Sequence, residues 1–249
     1  MLNKVFNEDC IETMSKMDKQ SIDIILTSPP YNTSRSGATN KYNSRYITYI
    51  DSLPNEDYIK WTLSIFELYN TVLKKDGCIL YNLSYSSENT ELMWLLVARI
   101  ITDTNFTVAD HIVWKKNSAL PNNRSKNKLT RITESIFVFV RKNEFKTFNT
   151  NKQVKSVIEK TGQKNYENIY NFIEAKNNDG SNNLNKAIFS IELVEKLLDI
   201  YAIPNAVVYD SFMGIGTTAY ACINKNLNFI GSEICKEQYD YINNKLNSG

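Results

Sequence analysis

The order of apolar and amphipathic segments is the feature that most constrains the fold of this chain. Six segments are rich in apolar and β-branched residues and have the length of strands: 22–28, 78–84, 111–115, 135–141, 206–212 and 228–233. Helical periodicity falls between and after them, around 56–74, 88–102, 190–201, 217–225 and 235–247. Strands that alternate with helices predict an α/β fold, in which helices cover both faces of a mostly parallel sheet. At this length we expect one domain, residues 1–249.

Three stretches break this alternation and are predicted to be loop insertions, residues 33–52, 115–131 and 142–186. The second contains six cations and no acid: Lys115, Lys116, Arg124, Lys126, Lys128 and Arg131. Cations at this density repel one another unless water or phosphate groups surround them. The pattern is typical of a nucleic-acid contact and equally of a solvated loop, so the segment alone leaves both interpretations open.

Composition excludes several classes of protein. No apolar run has the length of a membrane span, and the first residues contain no apolar signal core. The four cysteines, Cys10, Cys78, Cys222 and Cys235, include no Cys-x-x-Cys pair. This spacing indicates free thiols in a reducing, cytoplasmic compartment and no metal site. The net charge of +2 is too small to identify an anionic partner by itself.

A glycine loop follows the strand predicted at 206–212, in the sequence AVVYDSFMGIGTTAYAC. Glycines at the carboxyl end of a strand let backbone approach a ligand, and the N-terminus of the next helix then faces it. Gly214 and Gly216 also fit a dinucleotide pattern, but only 33 residues follow Gly216, too few for the βα units that a nicotinamide fold adds. Glu233 ends the next strand and is placed to accept hydrogen bonds from ribose hydroxyls. A nucleotide-like ligand is favoured over a plain tight turn.

A second unusual turn, TSPPY at 27–31, ends the first predicted strand. Proline has no backbone N–H and a fixed φ, so a Pro-Pro pair makes a stiff turn whose carbonyl groups have no neighbouring donors. Such a turn suits a site that must accept hydrogen bonds from a ligand.

Together, TSPPY and DSFMGIGTT at 210–218 resemble the catalytic and S-adenosylmethionine-binding motifs of the DNA amino-methyltransferases, in the β-class motif order. The resemblance implies a Rossmann-like, S-adenosylmethionine-dependent methyltransferase that acts on double-stranded DNA, often as part of a restriction-modification system. It implies that four residues are catalytic, Ser28, Pro29, Pro30 and Tyr31. It implies that nine contact the cofactor: Asp9, Cys10, Asp210, Phe212, Gly214, Gly216, Thr217, Thr218 and Glu233. The basic residues of 115–131 would then contact DNA, and a homodimer stays open because related enzymes are often dimeric.

The chain departs from the commonest family pattern at three places. Ser211 stands where the family more often has proline, and Ile215 stands where it more often has serine. Many relatives carry a His-Pro pair before the position of Phe189, and this chain has Lys186-Ala187 there. The last departure leaves open which residues of that segment contact the methionine end of the cofactor.

The identity of the methylated base also stays open. Within this family, serine before Pro-Pro-Tyr is more frequent for cytosine N4, and aspartate or asparagine for adenine N6. Ser28 therefore favours cytosine N4 by a narrow margin, with adenine N6 as the alternative. Two other functions remain: methylation of RNA or protein, and DNA binding without catalysis. Methylation at cytosine C5 is disfavoured because the chain contains no Pro-Cys pair to supply its nucleophile.

Overall fold

A computed structural model describes residues 1–32, 53–86, 89–118, 121, 126–177, 179 and 189–247. The strands are β1 (Lys4–Phe6), β2 (Ile22–Thr27), β3 (Leu73–Leu83), β4 (Phe106–Lys116), β5 (Thr133–Arg141), β6 (Val154–Ile158), β7 (Gln163–Tyr166), β8 (Phe172–Ala175), β9 (Val207–Asp210) and β10 (Asn228–Ser232). The helices are α1 (Cys10–Ser15), α2 (Asn55–Val72), α3 (Leu92–Asp103), α4 (Ile191–Tyr201), α5 (Thr217–Asn224) and α6 (Lys236–Asn247). A 3-10 turn covers Lys142–Glu144.

Eight of these strands form one sheet in the order β1-β10-β9-β2-β3-β5-β4-β8. All run parallel except β5, which is antiparallel to both of its neighbours. The strand order reverses between β2 and β9: strands β3, β5, β4 and β8 lie on one side of β2, and strands β10 and β1 lie on the other side of β9. Ligands of open α/β sheets bind at the carboxyl ends of the strands beside such a reversal.

Helices cover both faces of the sheet, as the alternation predicted. Residues of one strand alternate between two cores: Ile79 and Tyr81 of β3 pack in one, and Cys78 and Leu80 in the other. The first core is aromatic, with the ring of Phe66 of α2 in edge contact with four others at centroid distances of 5.2–5.7 Å. Helix α4 supplies much of the second core. Helices therefore pack against the sheet from both sides, and the loops at the strand ends extend from a well-packed core.

The region 142–186, predicted to be a loop, contains regular structure. Strands β6 and β7 pair as a separate hairpin, and β8 adds a parallel edge strand to the sheet beside β4. All residues of β6 and β7 are exposed, so burial imposes no alternation on their sequence. The short β1 and α1 were also not predicted. The segment 33–52 lies outside the described residues.

The described helices include none that combines the length and the apolar character needed to cross a membrane.

Candidate active site

The two sequence motifs meet at the reversal of the sheet. Strand β2 leads into Ser28, and the neighbouring strand β9 ends at Asp210. Three donors hold the carboxylate of Asp210: Thr27 Oγ1 at 2.7 Å, Thr218 Oγ1 at 2.6 Å and the Phe212 N–H at 3.0 Å. Asp210 is 1% exposed, and its burial raises the pKa of the carboxyl group. This carboxylate therefore fastens the catalytic strand, the glycine loop and α5 to one another.

The glycine loop turns the chain from β9 into α5. Gly214 and Gly216 have φ values of 60° and 92°, a region that side chains disfavour. A Cβ at Gly216 would lie 3.1 Å from Ile242 of α6, so glycine also permits this helix to pack closely. Gly216 is the N-cap of α5 and offers no side-chain cap to the first turn. The first N–H groups of α5, from Thr217 onward, form a cradle suited to a carboxylate.

Glu233 follows β10 and reaches across to the glycine loop. Its two oxygens accept from the Gly214 and Cys235 N–H groups, each at 2.8 Å. Glu233 is 8% exposed, and burial, with a smaller contribution from the charge of Asp210, raises the pKa of its carboxyl group to about 7. A carboxylate oxygen has more than one acceptor site, so the group retains capacity for hydroxyl donors.

The start of α1 lies at the same sheet edge, after β1, which pairs with β10. The side chain of Asp9 caps α1 by accepting from the Ile11 N–H at 2.8 Å. Cys10 is buried, and burial raises the pKa of its thiol. Asn7 Nδ2 donates to the Glu233 carbonyl at 2.8 Å, which ties this turn to the end of β10. The structure thus brings Asp9 and Cys10 to the edge that carries Glu233.

The loop after β2 is held by side chains from α2. Tyr58 Oη, which is buried, donates to the Pro30 carbonyl at 2.7 Å. Trp61 packs between the rings of Tyr58 and Phe212, with centroid distances of 5.6 Å and 5.7 Å. Because Trp61 contacts both, it links the support of the Pro-Pro turn to the glycine loop.

Sequence reasoning missed a polar cluster beside Ser28 that consists of Asn82, Glu134 and Lys116. Tyr31 Oη lies 2.9 Å from Ser28 Oγ and donates to Glu134 Oε2 at 3.1 Å. Asn82 Nδ2 donates to both Tyr31 Oη and Glu134 Oε2, at 2.6 Å and 2.9 Å. The sequence signals for this cluster were weak: Asn82 is a polar residue within the apolar segment CILYNLS, and Glu134 directly precedes the apolar segment SIFVFV.

The predicted DNA-binding cations do not all behave alike. Lys115 pairs with Glu174 at 2.8 Å, and Lys116 pairs with Glu134 at 2.5 Å. The guanidinium of Arg131 lies over the Tyr85 ring at 4.9 Å. The segment itself contains no acid, but strands β5 and β8 place acids beside it, which the one-dimensional charge pattern could not reveal.

The remaining predicted positions fall into two groups. Lys126 and Lys128 are exposed. Arg124 and the Lys186-Ala187 pair lie outside the described residues.

The fold of the chain matches that of known proteins. The chain superposes on the PvuII DNA methyltransferase (cytosine-N4-specific) with a TM-score of 0.73 and 19% identity, covering 96% of this chain and 84% of that one. It superposes on the M1.HpyAVI-SAM complex with a TM-score of 0.63 and 24% identity, covering 98% and 99%. These likenesses confirm the predicted Rossmann-like methyltransferase fold.

Sequence relatives point the same way. The Type II methyltransferase M.BglII of Bacillus subtilis is 27% identical over 96% of this chain and 67% of its own length. The Type II methyltransferase M.HinfI of Haemophilus influenzae is 25% identical over 98% and 68%. The chain therefore spans about two thirds of the length of both relatives. The DNA methylase family model for N6 and N4 amino-methyltransferases matches residues 22–244, which include both motifs, and the chain belongs to that family of DNA amino-methyltransferases.

Proposed function

We propose that this protein transfers a methyl group from S-adenosylmethionine to an exocyclic amino nitrogen of a base flipped out of duplex DNA. One observation carries the proposal: the Ser28 loop and the glycine loop follow adjacent parallel strands and are joined through the buried Asp210. A methyl donor on one loop would therefore lie beside a base on the other.

The residues at the sheet edge suit the methyl donor. The first turn of α5, with Gly214, Gly216 and Thr217, would hold the carboxylate of its methionine end beside Phe212. Glu233 would accept from the ribose hydroxyls. When bound, the cofactor supplies a methyl group on a sulfonium, which is a strong electrophile.

The positions of Asp9, Cys10 and Asp210 at the sheet edge indicate two further roles toward the cofactor. Asp9 and Cys10 would lie at the adenine, since the end of β1 is next to that of β10. Asp210 would act by holding the loop, because Thr27, Thr218 and the Phe212 N–H already occupy its carboxylate.

Ser28 and Pro29 would make the amino nitrogen reactive. The lone pair of an exocyclic amine is delocalised into the base, so the nitrogen is a weak nucleophile until acceptors hold its hydrogens. Ser28 Oγ and the Pro29 carbonyl are such acceptors, and Tyr58 fixes the turn through the Pro30 carbonyl. They stabilise positive charge that develops on nitrogen. Alignment of the two reactants contributes up to about 7 to 11 kcal/mol more.

The aromatic face of Tyr31 would stack on the flipped base, a contact worth about 1 to 3 kcal/mol. Lys126 and Lys128 would contact DNA phosphates, together with Arg124 of the same segment. Lys115 and Arg131 would contact phosphates beside these three residues. We leave Lys116 out of the phosphate contacts because Glu134 binds its ammonium group in a mostly buried ion pair, whereas the ion pair between Lys115 and Glu174 is exposed to solvent.

Cytosine N4 is the proposed target, with adenine N6 as the alternative. The proposal rests on the family resemblance at Ser28, because serine before Pro-Pro-Tyr is more frequent for cytosine N4. Adenine N6 stays the alternative because a hydroxyl and a carboxylate can both accept from an amino group and the base slot suits either ring. The Type II methyltransferases among the relatives favour a role as the modification partner of a restriction enzyme.

Transfer of label from isotopically labelled S-adenosylmethionine to duplex DNA tests this function. We expect label in DNA, and we expect Ser28→Ala to slow turnover about tenfold or more while cofactor affinity stays unchanged. Ser64→Ala, which removes an exposed hydroxyl on α2, is the matched control. Label found only in RNA or protein would contradict the choice of substrate. A Ser28→Ala enzyme of normal rate would remove Ser28 from the catalytic set.

A further inference from the structure

A chain of hydrogen bonds joins Ser28 to an ion pair that belongs to neither motif. Ser28 Oγ contacts Tyr31 Oη at 2.9 Å, and Tyr31 Oη contacts Glu134 Oε2 at 3.1 Å. The second carboxylate oxygen, Glu134 Oε1, accepts from Lys116 Nζ at 2.5 Å. Asn82 Nδ2 spans the middle of this chain, between Tyr31 Oη and Glu134 Oε2.

The sheet explains why these groups meet. Strand β5 runs antiparallel to β3 and β4, so its first residues lie beside the last residues of both. Glu134 pairs with Trp114 and is therefore diagonal to Lys116, two residues further along β4. Asn82 of β3 pairs with Ile136, two residues after Glu134 and on the same face. Strand β5, which is antiparallel to both of its neighbours, thus places the carboxylate of Glu134 beside Tyr31 and Ser28.

The donor in each of these bonds follows from the protons available. Glu134, paired with Lys116, is a carboxylate and can only accept. The one hydroxyl proton of Tyr31 must therefore go to Glu134. Tyr31 Oη then presents lone pairs to Asn82 Nδ2 and to Ser28 Oγ, so it accepts from both. The Ser28 hydroxyl proton consequently points toward Tyr31.

We infer that Glu134 is a positioning residue that acts through Tyr31 to turn the Ser28 hydroxyl, so that an Oγ lone pair faces the target amino group. The inference rests on the proposed function, in which Ser28 accepts from that amino group. If the Ser28 hydroxyl proton pointed at the substrate, it would repel the amino N–H, and Ser28 could not accept from that N–H. Asn82 Nδ2, at 3.4 Å from Ser28 Oγ, occupies at most one of the two lone pairs.

Glu134→Gln separates this role from a packing role. Glutamine has nearly the same shape and can still accept from Lys116 through its carbonyl oxygen. Its NH₂ group can donate to Tyr31 Oη, however, and the Tyr31 proton is then free to bind Ser28 Oγ. The lone pair that should accept from the substrate is lost, although the packing of the site is preserved.

The test measures single-turnover transfer from labelled S-adenosylmethionine to duplex DNA, with cofactor affinity determined separately by calorimetry. We expect Glu134→Gln to slow transfer at least tenfold while cofactor affinity stays within twofold. Tyr31→Phe should also slow transfer, and adding Glu134→Gln to it should change the rate less than twofold because the link is already cut. Glu174→Gln breaks the neighbouring ion pair with Lys115 and, as the matched control, should retain the normal rate.

Different results overturn different claims. An unmodified enzyme that leaves no label in DNA contradicts the proposed function. If the unmodified enzyme labels DNA, two results overturn the inference alone. One is a normal transfer rate in Glu134→Gln. The other is a double variant in which the rate losses of Glu134→Gln and Tyr31→Phe multiply. If Glu134→Gln does not fold, Glu134→Asp takes its place: it keeps the charge but shortens the reach by one methylene. Normal transfer by a folded Glu134→Asp would likewise overturn the inference.

Discussion

Replacement of Glu233 by glutamine should weaken cofactor binding and remove its dependence on pH. The carboxylate is 8% exposed and holds the Gly214 and Cys235 N–H groups, and burial raises its pKa to about 7. Ribose hydroxyls donate stronger hydrogen bonds to the ionised carboxylate of Glu233 than to its neutral form. Binding of the cofactor should therefore lower the pKa of Glu233 toward its ordinary value. The loss of a hydrogen bond to a charged group costs about 1.5 to 3 kcal/mol, which corresponds to roughly 10- to 150-fold in affinity.

The pH dependence has a definite sign. Affinity of the unmodified protein for S-adenosylmethionine should rise as pH increases through about 7, because Glu233 then ionises without help from the ligand. The Glu233→Gln profile should be flat. Calorimetric titrations at pH values on both sides of 7 measure both profiles, with the exposed Glu237→Gln as the control. Equal affinity of Glu233→Gln and the unmodified protein above pH 7 would refute the assignment of Glu233 to the ribose.

The same group affects stability. Unfolding returns the carboxyl pKa to about 4.5, so between pH 4.5 and about 7 the folded state binds more protons than the unfolded state. The free energy of unfolding should therefore fall as pH rises through this window, by up to about 3 kcal/mol. Urea unfolding of Glu233→Gln should lack this component. A stability difference between the two proteins that is the same at all pH values would show that Glu233 does not titrate as the structure requires.

Two further predictions concern the core of the site and its DNA surface. Thr218→Val removes one of three donors to the buried Asp210 and should lower the free energy of unfolding by about 1 to 3 kcal/mol in denaturant titrations. Joint neutralisation of Arg124, Lys126 and Lys128 to glutamine should weaken binding to all DNA sequences. It should also reduce the slope of log affinity against log salt by about 0.9 for each phosphate that the variant no longer neutralises.

Surface variants provide the controls for both. Thr71→Val changes an exposed threonine of α2 and should leave stability nearly unchanged, so an equal loss there would contradict the role of Asp210. Lys19→Gln with Lys60→Gln removes exposed cations elsewhere and should leave DNA affinity nearly unchanged. If the triple variant loses affinity only for the cognate site and keeps its salt slope, its residues read bases rather than phosphates.

Sequence alone predicted the elements that burial and backbone chemistry dictate. The central strands β2 and β9 are mostly apolar because both faces of the sheet are covered. The turns that follow them carry motifs with strong backbone constraints at Pro29, Pro30, Gly214 and Gly216. The hairpin of β6 and β7 has exposed residues throughout, so no burial pattern marked it.

The sequence could not predict side-chain contacts between residues that are far apart along the chain. Glu134 meets Tyr31 and Lys116 only because β5 runs against β3 and β4, and no local pattern encodes that register. For the same reason, a segment with six cations and no acid gained acidic partners once folded. The sheet topology, rather than composition, therefore pairs Lys116 with an acid and removes it from the proposed phosphate contacts.

Mass spectrometry of nucleosides from duplex DNA treated with this protein and S-adenosylmethionine tests the central claim most directly. The account predicts a methylated exocyclic amino group, as N4-methylcytosine, and loss of most of this product with Ser28→Ala. N6-methyladenine would correct the choice of base and keep the mechanism. Formation of 5-methylcytosine, or DNA without any methylated base while RNA or protein is labelled, would contradict the account.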